Sequence, residues 1–131
     1  MMSDVIQTDK APAPVGSYSQ AVKTGQTVYL SGQIPLDPIT MQLVEGGIEP
    51  QVRRVFENLK AVAEAAGGHM DAIVRITVYL LDLTHVNVIN ETMKTYFKKS
   101  FPARTTFGVA ALPKGSAVEI DAIMHLGNDR G

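Results

Sequence analysis

The sequence predicts an α+β fold, a mixed or mostly antiparallel sheet with two helices packed on one face. Two stretches carry apolar residues at helical spacing between start and stop signals, and five others have the alternation or β-branched content of strands. Their order is strand, strand, helix, strand, helix, strand, strand. The Pro/Gly clusters are short, and no fixed-period repeat or low-complexity block interrupts the 131 residues, so residues 1–131 are expected to form one domain.

Residues 10–16, Lys-Ala-Pro-Ala-Pro-Val-Gly, form an irregular lead-in, followed by a short strand over Ser17–Val22 and a turn around Gly25. Thr27–Ile34 alternates, with Val28, Leu30 and Ile34 on one side and Tyr29, Ser31 and Gln33 on the other. Pro35 and Pro38 end that strand and open a loop running to Gly46-Gly47. A helix follows, with Pro50 in its first turn, Val52, Val55, Phe56, Leu59, Val62, Ala63 and Ala66 as its stripe, and Gly67-Gly68 as its stop. Ile73–Leu83 reads as a central strand whose aliphatic face is Val74, Ile76, Val78 and Leu80. Thr84 is placed to cap a second helix bearing Val86, Ile89, Met93, Tyr96 and Phe97. Pro102 closes that region, and Arg104–Ala111 and Ala117–Leu126 read as strands joined through Pro113-Lys114-Gly115.

With the helices on the aliphatic side, the alternation leaves a second face of Tyr29, Ser31, Gln33, Arg75, Thr77, Tyr79, Arg104, Thr106, Gly108, Glu119, Asp121, Ile123 and His125. A solvated antiparallel sheet would give much of this pattern. The aromatic and aliphatic residues among small polar ones also fit a face partly covered by another copy of the chain.

Composition narrows the chemistry. There is no cysteine, which removes disulfides, thiolate metal sites and cysteine nucleophiles. The formal net charge of -1 lacks the basic excess of a phosphate-backbone binder, so nucleic acid is disfavoured. No apolar run approaches a membrane span and the start lacks a secretory pattern, so the expectation is a cytoplasmic protein with no membrane partner. His69, His85 and His125 match no zinc spacing, and no metal or other cofactor is expected. Phosphate-loop and hydrolase-elbow motifs are absent. Lys98-Lys99 at a helix end complements the helix dipole. Arg104 opens a strand of small and apolar residues; its planar fork suits a substrate carboxylate, but spacing alone favours a salt bridge to Glu119 or Asp121 on an adjacent strand. Glu119, between Val118 and Ile120, can act as acid or base or pair with an arginine.

Several segments together, Ser31-Gly32-Gln33-Ile34-Pro35, Asn58-Leu59-Lys60-Ala61-Val62 leading to Ala65-Ala66-Gly67, Phe101-Pro102-Ala103-Arg104, Ala111-Leu112-Pro113 and Val118-Glu119-Ile120, closely resemble the RidA (YjgF) family of reactive-imine deaminases. The resemblance runs from about Ala11 to Met124. It implies a fold like chorismate mutase of the bacterial trimeric type, and homotrimers with clefts between subunits. The implied reaction is hydrolysis of 2-iminoacids such as 2-iminopropanoate and 2-iminobutanoate, released as enamines by pyridoxal-phosphate dehydratases, to 2-ketoacids and ammonia. That is metabolite repair.

By the same resemblance Arg104 binds the substrate carboxylate with the backbone N–H of Thr106, and Glu119 positions or deprotonates water. Tyr18, Ser31, Gly32 and Asn90 fall at cleft or cleft-supporting positions. Two residues depart from the family pattern: Thr106 stands where many deaminating members carry cysteine, and Met41 where relatives often have glycine. The other function classes carried by the resemblance are a non-catalytic 2-ketoacid-binding or chaperone-like module and an endoribonuclease or translation inhibitor.

Overall fold

A computed structural model of the chain describes residues 3–127; the remaining termini of the expected 1–131 domain lie outside the described residues. The strands are β1 (Asp4–Ile6), β2 (Ala21–Thr24), β3 (Thr27–Gln33), β4 (Ile73–Leu80), β5 (Ala103–Gly108) and β6 (Val118–His125), with helices α1 (Ile48–Ala65) and α2 (Val86–Tyr96). They build one mixed sheet in the order β1-β2-β3-β6-β4-β5. Neighbours are antiparallel except β4 and β5, the parallel pair that α2 connects. The α+β architecture matches the expectation.

β6 lies between β3 and β4, and its alternation is complete: Val118, Ile120, Ala122 and Met124 are buried while Glu119, Asp121 and Ile123 face the other way. On the core side α1 buries Val52, Val55, Phe56, Leu59, Val62 and Ala63. Phe56 then joins the helices, stacking on Tyr96 at 5.3 Å and meeting Phe97 edge-on at 6.1 Å. Gly67 ends α1 with φ 92°, and the Gly67 and Gly68 N–H groups donate to Glu64 and Ala63, satisfying carbonyls of the last turn. The buried Asn58 side chain donates to the Leu36 carbonyl at 3.0 Å and tethers the loop after β3 to α1.

Several expectations need correction. β1 was not foreseen: three residues are too few to show a period, and they pair only with β2. β2 begins at Ala21 and ends at Thr24, so Ser17–Gln20 belong to the lead-in and the turn is only Gly25-Gln26. Thr84 is not the cap of α2; it sits in a 3₁₀ turn whose N–H and hydroxyl both donate to Asp82. β4 stops at Leu80, and a bulge near its start puts Ile73 rather than Val74 in the core. A second bulge, between Leu30 and Gln33, inverts the parity of β3, so Gln33 lies opposite Ile120 and is buried.

The largest correction concerns β5. It does not lie beside β6 but on the far side of β4, at the sheet edge. Its parallel register sets Arg104 opposite Ile76 and Thr106 opposite Val78, both core residues. Arg104, Thr106 and Gly108 therefore face the helix side. Thr105 and Phe107 take the open side, where Arg75 donates to the Thr105 hydroxyl at 2.6 Å and Tyr79 stacks on Phe107. The loop departure at Met41 is accommodated without glycine: the residue adopts φ 59° and its N–H donates to the Asp37 carbonyl.

Candidate active site

The residues singled out in the sequence divide into two clusters on opposite faces of the sheet. In the first, Arg104 projects from β5 toward α2, where one nitrogen of its guanidinium, Nη1, donates to Asn90 Oδ1 at 2.8 Å and lies 3.3 Å from the Met93 sulfur. The expected salt bridge to Glu119 or Asp121 does not form, because those carboxylates lie across β4 and on the other face. The Leu80 carbonyl accepts from Val109, which sets the phase of the parallel ladder; by alternation the Thr106 N–H points off the free outer edge of β5. Asn90, Met93, Lys94, Phe101, Pro102 and Arg104 enclose a mainly apolar hollow of about 300 Å³. The Thr106 hydroxyl is buried without a hydrogen-bond partner among the described residues.

The second cluster gathers Tyr18, Ser31, Gly32 and Glu119, with Val15, Ile34 and Pro113, around a hollow of about 310 Å³. Its wall is the lead-in, held by a buried amide: Gln20 donates to the carbonyls of Thr8, Ala11 and Pro12 and accepts from the Thr8 N–H. The Ser31 hydroxyl donates to the Ser19 carbonyl at 2.6 Å, tying that wall to β3. Tyr18 curls back so that its oxygen accepts from the Val15 N–H at 3.2 Å. The bulge of β3 brings Gly32 against Glu119, where a Cβ would sit 2.1 Å from a carboxylate oxygen.

Glu119 has no hydrogen-bond donor among the described residues. Burial raises its pKa, and the nearby Asp121 carboxylate raises it further. Asp121 is itself held by the Tyr79 hydroxyl at 3.1 Å. The arrangement thus offers a carboxyl group whose pKa is raised in one hollow, and a guanidinium fork in the other. Replacing Gly32 by alanine is expected to push the Glu119 carboxyl off its position. A crystal structure of the variant would check this; Glu119 in its wild-type rotamer would contradict it.

All seven expected residues thus fall in or beside one hollow or the other, and no single hollow holds both Arg104 and Glu119. Met93 escaped notice because helical spacing had already explained it as core. Gln20 escaped because a buried amide in a coil leaves no period. Among the described residues no three His, Asp or Glu side chains converge as metal ligands would, and no helix is long and apolar enough to cross a membrane.

Comparison with known proteins decides the family. The family model described as Endoribonuclease L-PSP matches residues 8–126. A crystal structure of RidA from the Antarctic bacterium Psychrobacter sp. PAMC 21119 superposes with a TM-score of 0.90 at 52% identity, covering 93% of this chain and 98% of the other. The chain belongs to the RidA/L-PSP family. A RidA/L-PSP relative from Mus musculus, named 2-iminobutanoate/2-iminopropanoate deaminase, is 49% identical over 91% of this chain and 88% of the mouse protein. Another RidA/L-PSP structure, E. coli TdcF with bound serine, has a TM-score of 0.89 at 38% identity over 93% of this chain and 98% of that one.

Proposed function

We propose that this chain is a 2-iminobutanoate/2-iminopropanoate deaminase acting as a homotrimer, with each site assembled from the Arg104 hollow of one copy and the Glu119 hollow of the next. The observation that carries the proposal is the separation itself. A carboxylate-binding fork and a protonatable carboxyl, each set in its own open hollow, face opposite ways in one chain and can meet in a cyclic assembly. Support for the assembly comes from the open sheet face, where Tyr29 and Phe107 are each 50% exposed beside Tyr79 and Ile123. Support for the substrate comes from the deaminase name of the mouse relative and from serine, a small amino acid, in the TdcF structure.

The chemistry needs little from the protein. A protonated imine is already electrophilic, so orientation and a placed water supply the acceleration. The Arg104 fork and the Thr106 N–H hold the carboxylate, with Tyr18, Ser31 and Gly32 lining the facing wall. Glu119 takes a proton from water as oxygen adds to C2, giving a tetrahedral carbinolamine. It returns that proton to nitrogen; the C–N bond breaks as the hydroxyl oxygen gives its proton to the again-ionised Glu119 and becomes the ketone. Ammonia takes that proton from Glu119 and leaves as ammonium with the 2-ketoacid.

The test is to generate 2-iminobutanoate with a threonine dehydratase and follow 2-oxobutanoate formation with and without the purified chain. Acceleration in proportion to added protein is expected. Binding of 2-oxobutanoate without acceleration would replace the enzyme with a ketoacid-binding module. RNA cleavage instead of imine hydrolysis would favour the nuclease named in the family description, for which the net charge of -1 gives no support.

A further inference from the structure

We infer that Met93 is a positioning residue for Arg104: its thioether and the Asn90 amide oxygen occupy the two hydrogens of Nη1, leaving the Nε–Nη2 edge of the guanidinium as the face offered to a substrate carboxylate. This deepens the proposed function and rests on it for the identity of the carboxylate.

The geometry is specific. Asn90 and Met93 are three residues apart on α2, so they present side chains on one side of the helix. Asn90 Oδ1 accepts at 2.8 Å, and the Met93 sulfur lies 3.3 Å from the same nitrogen. A single hydrogen bond would let the guanidinium plane pivot about it. Two contacts on one nitrogen fix the plane. Nη1 is then spent, and an end-on approach that shares Nη1 with Nη2 is blocked. The edge formed by Nε–H and Nη2–H has no acceptor among the described residues, and its two parallel donors match the two oxygens of a carboxylate.

Sulfur is a weak acceptor but a polarizable one, and at 3% exposure Met93 offers little surface to water that would compete for the bond. Phe101 and Pro102 line the same hollow and hold the local environment apolar. Leucine would fill the same volume without accepting, so packing and hydrogen bonding can be separated at this position.

The test compares wild type, Met93→Leu and Met93→Gln by calorimetric titration with 2-oxobutanoate, by imine kinetics, and by nitrogen-detected NMR of the Arg104 guanidinium. In Met93→Leu the Kd is expected to rise roughly three- to tenfold, with KM following it and kcat falling by less. Met93→Gln, which restores an acceptor, should recover most of the affinity. In wild type, rotation about the Cζ–Nη1 bond should be slow, and it should quicken in Met93→Leu.

Wild-type affinity in Met93→Leu would overturn the inference. So would equal weakening in both variants, which would assign Met93 a packing role alone. If the leucine variant fails to fold, rapid Nη1 rotation in wild type is the overturning result and slow rotation the supporting one. Failure of the proposed function is distinguishable: it would appear as 2-oxobutanoate binding or slow Nη1 rotation in wild type with no acceleration of imine hydrolysis.

Discussion

Arg104→Ala is expected to lower kcat/KM for 2-iminobutanoate by about a hundredfold or more while leaving the fold in place. The lost interaction is a charge-assisted, two-point grip on the carboxylate, and with it goes the alignment of C2 toward the water. The fold should tolerate the change. Arg104 is half-buried on an edge strand, forms no ion pair among the described residues, and its hydrogen bonds to Asn90 and Met93 both leave from Nη1. A stability change within about 1 kcal/mol in urea denaturation is therefore expected. Undiminished kcat/KM in a properly folded variant would remove Arg104 from the mechanism.

Glu119→Gln is expected to cost about a hundred- to ten-thousandfold in kcat, the range for removing a positioned general base. Its pH signature follows from the direction of the shift. Burial, and then Asp121, raise the Glu119 pKa above the usual 4.5, so wild-type activity should fall as pH drops through that raised value. In Asp121→Asn the fall should move to lower pH, because the secondary cause is gone.

Stability runs the other way. A folded-state pKa above the unfolded one means that the folded chain binds more protons between the two values, so the contribution of Glu119 to stability declines as pH rises through them. The neutral glutamine lacks that penalty. Glu119→Gln should melt higher than wild type at pH 7, with the difference vanishing in acid. A lower melting temperature at pH 7 would contradict the assigned environment of the carboxylate.

The helices were legible because their signals are local. The α1 stripe from Val52 to Ala63 and its Gly67-Gly68 stop lie where the spacing puts them. β6 was equally legible, since every second residue from Val118 to Met124 is apolar. What sequence could not convey was parity in strands whose residues are small or broken by bulges. Along Ala103–Gly108, polar residues stand at both odd and even positions, so alternation could not say which face Arg104 takes; pairing with β4 decides it. Gln33 was misplaced for a related reason, because the bulge beside Gly32 adds a residue that no period reveals.

The residues of the candidate site were legible from their resemblance to a family, whereas their division into two hollows was not. That division depends on two pairings between distant segments: β6 with β4, which sets Glu119 beside Tyr79, and β5 with β4, which sets Arg104 beside Ile76. Once both are made, Glu119 and Arg104 lie on opposite faces. The support residues were hidden by their own ordinariness: Gln20 as one polar residue in a coil, Met93 as one more apolar position on a helix.

The most direct test of the central claim mixes two inactive proteins. Arg104→Ala and Glu119→Gln chains, unfolded together in equal amounts and refolded, will assort at random into ring assemblies. In any ring whose clefts take Arg104 from one copy and Glu119 from the next, about one quarter of the clefts then receive both intact residues. Recovery of about a quarter of wild-type imine hydrolysis, absent when the variants are refolded separately, is the predicted result. Activity no higher than that of the separate variants, with mixed assemblies confirmed by mass spectrometry, would contradict a site shared between copies.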